Sequence, residues 1–395
     1  MISGNKTNPL KVQIADVCRI GNGYAFKSPE YRDNGIPLLR ISNITNERIS
    51  FDKGTIYLDE NCLVTHKDFV VNKGDVLIAL SGATTGKYGI YELEEPCLLN
   101  QRIGIIRSGN SKSLDSKYFY FYLSELRSEI LRKAQGAAQP NISTKEIGQF
   151  KIPLPPLPEQ QKIASILDAA DNLRQKDQQL IKKYNALSQS LFLDMFGDPV
   201  TNPMGWEMGT SIEYCDCIVP GRDKPKSFSG DIPWVTTNDL NRLTYTSKSK
   251  KDIGLTEEEV AEVRAKIIPE NSVILTCVGD LGVISINSSP VVINQQLHAF
   301  QCDHINISPI FMMYVLSYQT PFMYKMASST TVPYMNKTVC NNIPMIYPPI
   351  TLQNQFAERI QLIEAQKQLA LASLEKSEAL FNSLLQRAFK GELTA

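Results

Sequence analysis

The sequence predicts an α+β chain in which two β-rich domains are separated by two long antiparallel α-helices forming a coiled-coil spacer, arranged as a pseudo-twofold internal repeat. Three observations predict this. The stretch KIPLPPLPEQQKIA…ALSQSLFLDMFGDP (151–199) returns as MIYPPITLQNQFA…ALFNSLLQRAFKGEL from Met345. Pro155 and Pro348, Gln160 and Gln353, Ala164 and Ala357, and Phe196 and Phe389 all stand 193 residues apart, so no insertion separates the copies. A repeat of this kind decides the architecture before any single element does. Each copy opens on prolines and then runs free of Pro and Gly for most of its length. Finally, strand-like motifs upstream of the first copy recur, at drifting offsets, upstream of the second.

Residues 1–150 form the first β-rich domain. Ile36–Ile44 (IPLLRISNI) reads as a strand, and VVNKGDVLIAL (70–80) as a turn at Lys73-Gly74-Asp75 entering another. SGATTGK (81–87) is a Gly-rich loop, Tyr88–Tyr91 resumes β character, and LLNQRIGIIR (98–107) is a further strand. Ser116–Gln135 carries aromatic and Leu positions at helical spacing, and GAAQPNIST (136–144) is a small-residue loop.

Residues 151–199 are a proline gateway and the first long helix. Pro153, Pro155 and Pro156 cannot lie inside a helix, whereas Pro158 suits its first residue. Ile163, Ile166, Ala170, Leu173, Leu180, Tyr184, Leu187 and Leu191 alternate steps of three and four, a heptad seam broken at Asp177. Roughly 38 residues give a rod of about 57 Å. Residues 200–344 repeat the β plan: IPWVTTNDL (232–240) echoes 36–44, SVILTCVG (272–279) echoes 75–82, and VINQQ (292–296) echoes 98–102. Residues 345–395 hold the second gateway and helix, with Ile360, Ile363, Ala370, Leu374, Phe381, Leu384 and Ala388 as the seam. An antiparallel pairing is easiest with the globular segments at opposite ends.

Composition bounds the function. Forty-one basic and 41 acidic residues leave no net charge, so any polyanion must be met by a local stripe. Eight cysteines form no CxxC pair, and the lone Cys-Asp-Cys at 215–217 lacks a ligand partner, which suggests a reducing compartment. No signal profile or 18-residue apolar run occurs, so a soluble cytoplasmic protein is expected. Gly82-Ala-Thr-Thr-Gly86-Lys87 has three residues between its glycines where a phosphate loop needs four, and Tyr88 where it needs Ser or Thr. No base-methylating Asn-Pro-Pro-aromatic run, Glu-Xaa-Lys nuclease element, GxSxG elbow or histidine cluster is encoded. A duplicated chain without a catalytic constellation is expected to bind or to scaffold, with neither metal nor cofactor of its own.

IPLPPLPEQQKIASILDAAD with LFLDMFGDPVTNPMGW, KGDVLIALSGATTGKYGI, and PPITLQNQFAERI…LLQRAFKGEL together resemble the specificity subunit of type I restriction–modification systems, over essentially the whole length. The resemblance implies that each β-rich domain is a target recognition domain for one half of a bipartite, asymmetric double-stranded DNA site. The helices would set the unread spacer and dock two methylase subunits, and two translocase–nuclease subunits would join that core. S-adenosylmethionine would belong to the methylase, and ATP and Mg to the translocase–nuclease. Two alternatives stand beside it: the specificity subunit of a methylation-only phage-defence system, and a coiled-coil assembly scaffold without DNA specificity. A 57 Å rod spans roughly 17 base pairs, compatible with separate half-sites.

Arg suits guanine, Asn or Gln suits adenine, and small hydroxyls suit phosphates. On that basis the candidate DNA-binding residues of the first domain are Arg40, Ser42, Asn43, Ser81, Thr84, Thr85, Lys87, Gln101, Arg102, Gln139, Asn141, Ser143 and Lys145. Those of the second are Thr236, Thr237, Asn238, Asp280, Gln295, Gln296, His298, Tyr334, Asn336 and Lys337.

Overall fold

Prolines 155 and 156 hold the chain extended, and helix follows at once: Leu157–Phe196 and Ile350–Phe389 are each 40 residues long. The first begins one residue before Pro158, because the Pro156 carbonyl already accepts from the Glu159 and Gln160 amides at 2.9 and 3.1 Å. Both stop on a glycine in the left-handed region, Gly197 (φ 72°) and Gly391 (φ 71°), where a side chain would be strained. A Cβ at Gly197 would also lie 2.8 Å from Pro203 Cγ.

The computed structural model describes residues 10–45, 48–52, 54–109, 113–134, 140–221, 223–328 and 332–393. They fall into two compact units. One contains the described residues up to Lys176 and those from Ser373 onward, the other Asp177–Ala372. Each unit therefore takes part of both long helices with it.

In the first unit Lys11–Gln13 pairs antiparallel with Lys151–Pro153 of the gateway. A six-stranded sheet runs in the order Cys18–Asn22, Ile103–Ser108, Val76–Ala79, Tyr88–Ile90, Arg48–Ile49, Ile44–Thr45. A four-stranded sheet runs Ile56–Leu58, Ile36–Leu39, Cys97–Leu99, Val70–Val71, with Leu98 parallel to Leu38. The expected strand 36–44 thus ends at Leu39, where a 3₁₀ turn follows, and the expected strand 98–107 is two strands broken by a turn at Asn100-Gln101-Arg102. Ser116–Ala134 is the expected helix; its Tyr118, Phe119, Leu123, Leu126 and Ile130 are buried.

The second unit repeats this plan. Met208–Thr210 pairs with Pro344–Ile346. The larger sheet runs Cys215–Ile218, Leu297–Cys302, Val273–Thr276, Ile284–Asn287, Tyr245–Thr246, and the smaller Gly254–Leu255, Ile232–Val235, Val291–Ile293, Ile267–Ile268. Trp234 lies parallel to Val292, as Leu38 does to Leu98. The counterpart of Ser116–Ala134 is divided here into Pro309–Tyr318 and Thr320–Met326, since Pro321 has no amide to continue the ladder.

The long helices pack on each other inside both units. In the first, Ile163, Leu167 and Ala170 share a core with Phe381, Leu385 and Ala388. In the second, the Phe192 and Phe196 rings lie 5.5 and 5.4 Å from that of Phe356. Early turns of one helix meet late turns of the other in both places, so the helices are antiparallel. The seam is the expected one in part: Ile163, Ala170, Ile360, Ala370, Phe381 and Ala388 are buried, but the middle of the first helix departs from it. Leu173, Leu180 and Leu187 are 45%, 39% and 50% exposed, whereas Asp171, Asp177 and Ser188 are buried. Inside each unit the helix shares a core both with its partner helix and with the β-rich part, so its buried stripe is wider than a heptad seam.

Candidate nucleic-acid interface

The candidate loops are sewn together by backbone hydrogen bonds at the carboxyl ends of the strands. In the first unit the Asn100 amide donates to the Leu39 carbonyl at 3.1 Å, which ties the 99–102 turn to the segment starting at Arg40. Leu80 donates to the Arg102 carbonyl at 2.9 Å and brings in the Gly-rich loop. Gly82 donates to Pro140 at 3.0 Å and Ile142 to Leu80 at 2.9 Å, adding the segment before Thr144. Gly82 has a φ of 88°, which is what the tight exit from the strand requires.

The second unit is sewn in the same way. Asn294 donates to Val235 at 3.0 Å, Cys277 to Gln296 at 2.9 Å, Gly279 to Pro333 at 3.0 Å and Met335 to Cys277 at 2.9 Å. Isolated bridges join Ser81 to Asn141 and Val278 to Tyr334. These bonds fix which residues correspond: Arg40 with Thr236, Ser42 with Asn238, Gln101 with Gln295, Arg102 with Gln296, Asn141 with Tyr334 and Ser143 with Asn336. The Ala79 amide donates to Lys87 and the Thr276 amide to Val283, so the second Gly-rich loop is one residue shorter and Val283 stands where Lys87 does.

Several candidate side chains are engaged within the protein. Asn43 is buried; its Oδ1 accepts from the Arg40 amide at 2.9 Å and its Nδ2 donates to the Ser50 carbonyl at 3.1 Å. Its structural counterpart is Asp239, not Asn238. Asp239 accepts from the Thr236 amide and hydroxyl, both at 2.7 Å, and from the Lys250 amide at 2.7 Å. An alignment of IPLLRISN with IPWVTTND at offset 196 carries that signal. Thr85, also buried, donates to the Gly82 and Pro140 carbonyls at 2.7 and 3.0 Å and locks its loop. Gln295 donates to the Gly221 and Asp223 carbonyls at 3.0 and 3.2 Å.

His298 points into the core. It is 3% exposed, its Nδ1 lies 2.9 Å from Cys340 Sγ, and burial, with the nearby Lys337 charge, pushes its pKa down to about 4. Ser143 and Asn336 are helix N-caps: their side chains accept from Glu146 and Val339 amides at 3.2 and 2.9 Å. In return, Ser143 holds the Glu146 carboxyl below the usual carboxylate range. The Cys-Asp-Cys pair sits on a strand with both cysteines inward, Cys215 Sγ lying 3.7 Å from Cys302 Sγ.

The remaining candidates face solvent. Arg40, Ser42, Lys87, Gln101, Arg102, Asn141, Lys145, Asn238, Asp280, Gln296, Tyr334 and Lys337 are exposed, and Ser81, Thr84, Thr236 and Thr237 are half-buried. Gln139 lies outside the described residues. Arg40, Lys87, Arg102 and Lys145 take part in none of the ion pairs among the described residues, unlike Arg107, which is spent on a bidentate pair with Asp75 at 2.8 Å. Their counterparts in the second unit are Thr236, Val283, Gln296 and Thr338. One set of loops is cationic and the other largely neutral, with Asp280 lying 3.8 Å from Arg242 and 3.4 Å from the Tyr324 hydroxyl.

One residue escaped the sequence reading. Tyr24 is 39% exposed; its amide donates to Leu99 at 2.9 Å and its carbonyl accepts from Gln101 at 3.0 Å. Its ring leans on Phe26, His66 and Phe69 at 4.9, 4.6 and 5.2 Å, so an aromatic face stands beside the 99–102 turn. Nothing periodic marks it in the sequence.

Among the described residues no group of three or more His, Cys, Asp or Glu is placed to hold a metal ion, and no helix is long and apolar enough to cross a membrane. Comparison with known proteins adds the family. The type I restriction modification DNA specificity domain matches twice, over residues 10–183 and 214–376. The chain is 32% identical to the type I restriction enzyme MjaVIII specificity subunit of Methanocaldococcus jannaschii over 191 residues, 46% of this chain and 44% of that protein. It is 24% identical to the EcoBI specificity subunit of Escherichia coli over 98% of this chain and 86% of that one. Among solved structures, the type I restriction–modification S subunit from M. genitalium superposes with a TM-score of 0.66 at 14% identity, covering 98% of each chain. Two sewn sets of loops on duplicated β-rich units, joined to two antiparallel helices and matched twice by one family model, make this chain a member of the type I restriction–modification DNA specificity family.

Proposed function

We propose that the chain is the non-catalytic specificity subunit of a type I restriction–modification complex, and that each β-rich domain reads one half of a bipartite, asymmetric DNA site. The long helices set the unread spacer and dock two methylase subunits, and two translocase–nuclease subunits complete the assembly. S-adenosylmethionine is bound by the methylase, and ATP and Mg by the translocase–nuclease. The observation that carries this reading is that one backbone scaffold gathers the same loops in both units while the exposed side chains on them differ. Two different half-sites call for that combination: a shared frame to approach the groove, and separate donors and acceptors to read base edges. The outward leucines Leu180 and Leu187 support the docking role, as one helix turns both away from the core.

The test is to co-express the chain with the methylase subunit of its own system, in a host lacking adenine methylation, and to map methylated adenines across the genome. A single bipartite motif with a fixed gap is expected, and exchanging residues 1–150 for those of a relative should change one half of it only. A stable complex that methylates no bipartite motif would overturn the reading.

A further inference from the structure

The two long helices carry a repeated polar constellation on the faces they turn to the sheets. On the first, the Asp171 carboxylate is 4% exposed and is met by Arg174 Nη2 at 2.5 Å and by the Gln175 amide. On the second, Glu364 is met by Lys367 at 3.0 Å and by the Gln368 amide at 2.9 Å. Each residue lies 193 positions from its counterpart.

What distinguishes these acids from ordinary surface pairs one turn apart is a third donor, which comes from a sheet. Arg48 reaches Asp171 at 3.6 Å, and the Thr244 hydroxyl donates to Glu364 at 3.0 Å. Arg48 opens the strand Arg48–Ile49 and Thr244 immediately precedes the strand Tyr245–Thr246, the corresponding element of the other unit. Both strands lie parallel to the hairpin partner of the strand that runs into the Gly-rich loop: Arg48 is in register with Ile90, and Tyr245 with Ile286. Around Asp171 the contact is extended by Arg48 to Glu92 at 3.9 Å, Lys117 to Glu92 at 3.8 Å and Lys117 to Asp168 at 2.7 Å.

A nearly buried carboxylate with donors from two elements holds those elements in one geometry, because tilting the sheet would leave a desolvated charge short of a partner. One side of each sheet is held on the helix while its strand ends carry the loops, so a small rotation at the clamp is magnified at the loop tips. We infer that Asp171 and Glu364 are positioning residues that fix the tilt of each recognition domain on its own helix, and thereby the stringency with which one gap length between half-sites is accepted. This rests on the function proposed above and adds to it a determinant of spacing separate from the residues that read bases.

The experiment maps methylated adenines for the full complex carrying Asp171→Asn, Glu364→Gln, Arg48→Ala or Thr244→Val. The first two act from the helix and the last two from the sheet. The expected result is unchanged half-site sequences, with methylation at sites one base pair longer or shorter in the gap rising about ten-fold over the unsubstituted complex. Asp171→Glu should restore the single gap, which a residue serving only bulk stability would have no reason to do. Variants that keep one gap length, or that change a half-site base, overturn the inference, as does loss of assembly in all four. An unsubstituted complex without any bipartite motif is a separate outcome and refutes the function itself.

Discussion

Gln160 and Gln353 make the same hydrogen bonds in the two units. Gln160 accepts from the Asp115 amide at 2.9 Å and donates to the Ser113 and Pro155 carbonyls, both at 2.8 Å. Gln353 accepts from the Ser308 amide at 3.0 Å and donates to Asn306 and Pro348 at 3.5 and 2.8 Å. Both are almost wholly buried, and each fastens the first turn of a long helix to the gateway behind it and to the start of Ser116–Ala134 or Pro309–Tyr318. Truncation strands a buried amide and two carbonyls. Gln160→Ala and Gln353→Ala should each cost about 2–4 kcal/mol. Urea unfolding of the single variants, followed by hydrogen exchange, should place each loss in its own unit; an effect below about 0.5 kcal/mol contradicts the assignment.

Arg40, Lys87, Arg102 and Lys145, the candidate-loop cations of the first unit that are outside its ion pairs, should dominate the salt dependence of DNA binding. Each phosphate contact adds about 0.9 to the slope of log affinity against log salt. Replacing Arg40, Lys87, Arg102 and Lys145 together by Ala should lower that slope by roughly 3–4 if all four meet phosphate. Replacing Thr236, Gln296 and Thr338 should leave it unchanged. Arg102→Ala alone, if Arg102 reads guanine, should relax one base position at a cost of about 1–3 kcal/mol instead. Titrations of the methylase complex on its own site at several salt concentrations separate the two outcomes.

His298 predicts a pH window for the second unit. It is held neutral in the folded state, with a pKa near 4 against about 6.5 when unfolded. Between those values the unfolded chain takes up a proton that the native chain refuses, so stability is complete above about pH 6.5 and declines as pH falls towards 4. The full span is on the order of 3 kcal/mol. His298→Leu should flatten this part of the stability–pH curve; an unchanged slope would show that the histidine is not responsible.

Lengthening the helices tests the spacer. Seven extra residues inserted at matched positions of both helices add about 10 Å, or about three base pairs. The methylated motif should gain that gap and keep both half-sites. A changed half-site would sink the idea that the helices act as a ruler.

Much of this was legible in the residues. Prolines and glycines mark helix ends through backbone geometry alone, which is why the helix limits came within one residue of Leu157 and stopped at Phe196. The duplicated strands were legible because IPLL and IPWV, or VLIA and VILT, keep their burial pattern in both copies. The middle of the first helix's seam was not, because Leu173, Leu180 and Leu187 obey a heptad yet lie on an exposed face. Nor was the division of labour among the candidates. Asn43, Thr85 and His298 have the chemistry to read bases, and only the fold reveals that their hydrogen-bonding groups are already engaged within the protein. Arg40 and Arg102 differ from Arg107 in nothing but their neighbours.

Phe389 packs against Tyr118 and Tyr122 at 5.6 and 4.9 Å, and Phe381 lies 6.0 Å from Phe121. The core of the first unit is therefore assembled from residues more than 250 positions apart, whereas the second unit is one continuous segment. During synthesis the ribosome delivers every residue of the second unit before it delivers Phe381. The unit that begins first finishes last, and until it does the aromatic face of Ser116–Ala134 must be kept from other partners. Translation speed and chaperone occupancy while the segment from Ser373 onward is being made thus bear on the first recognition domain.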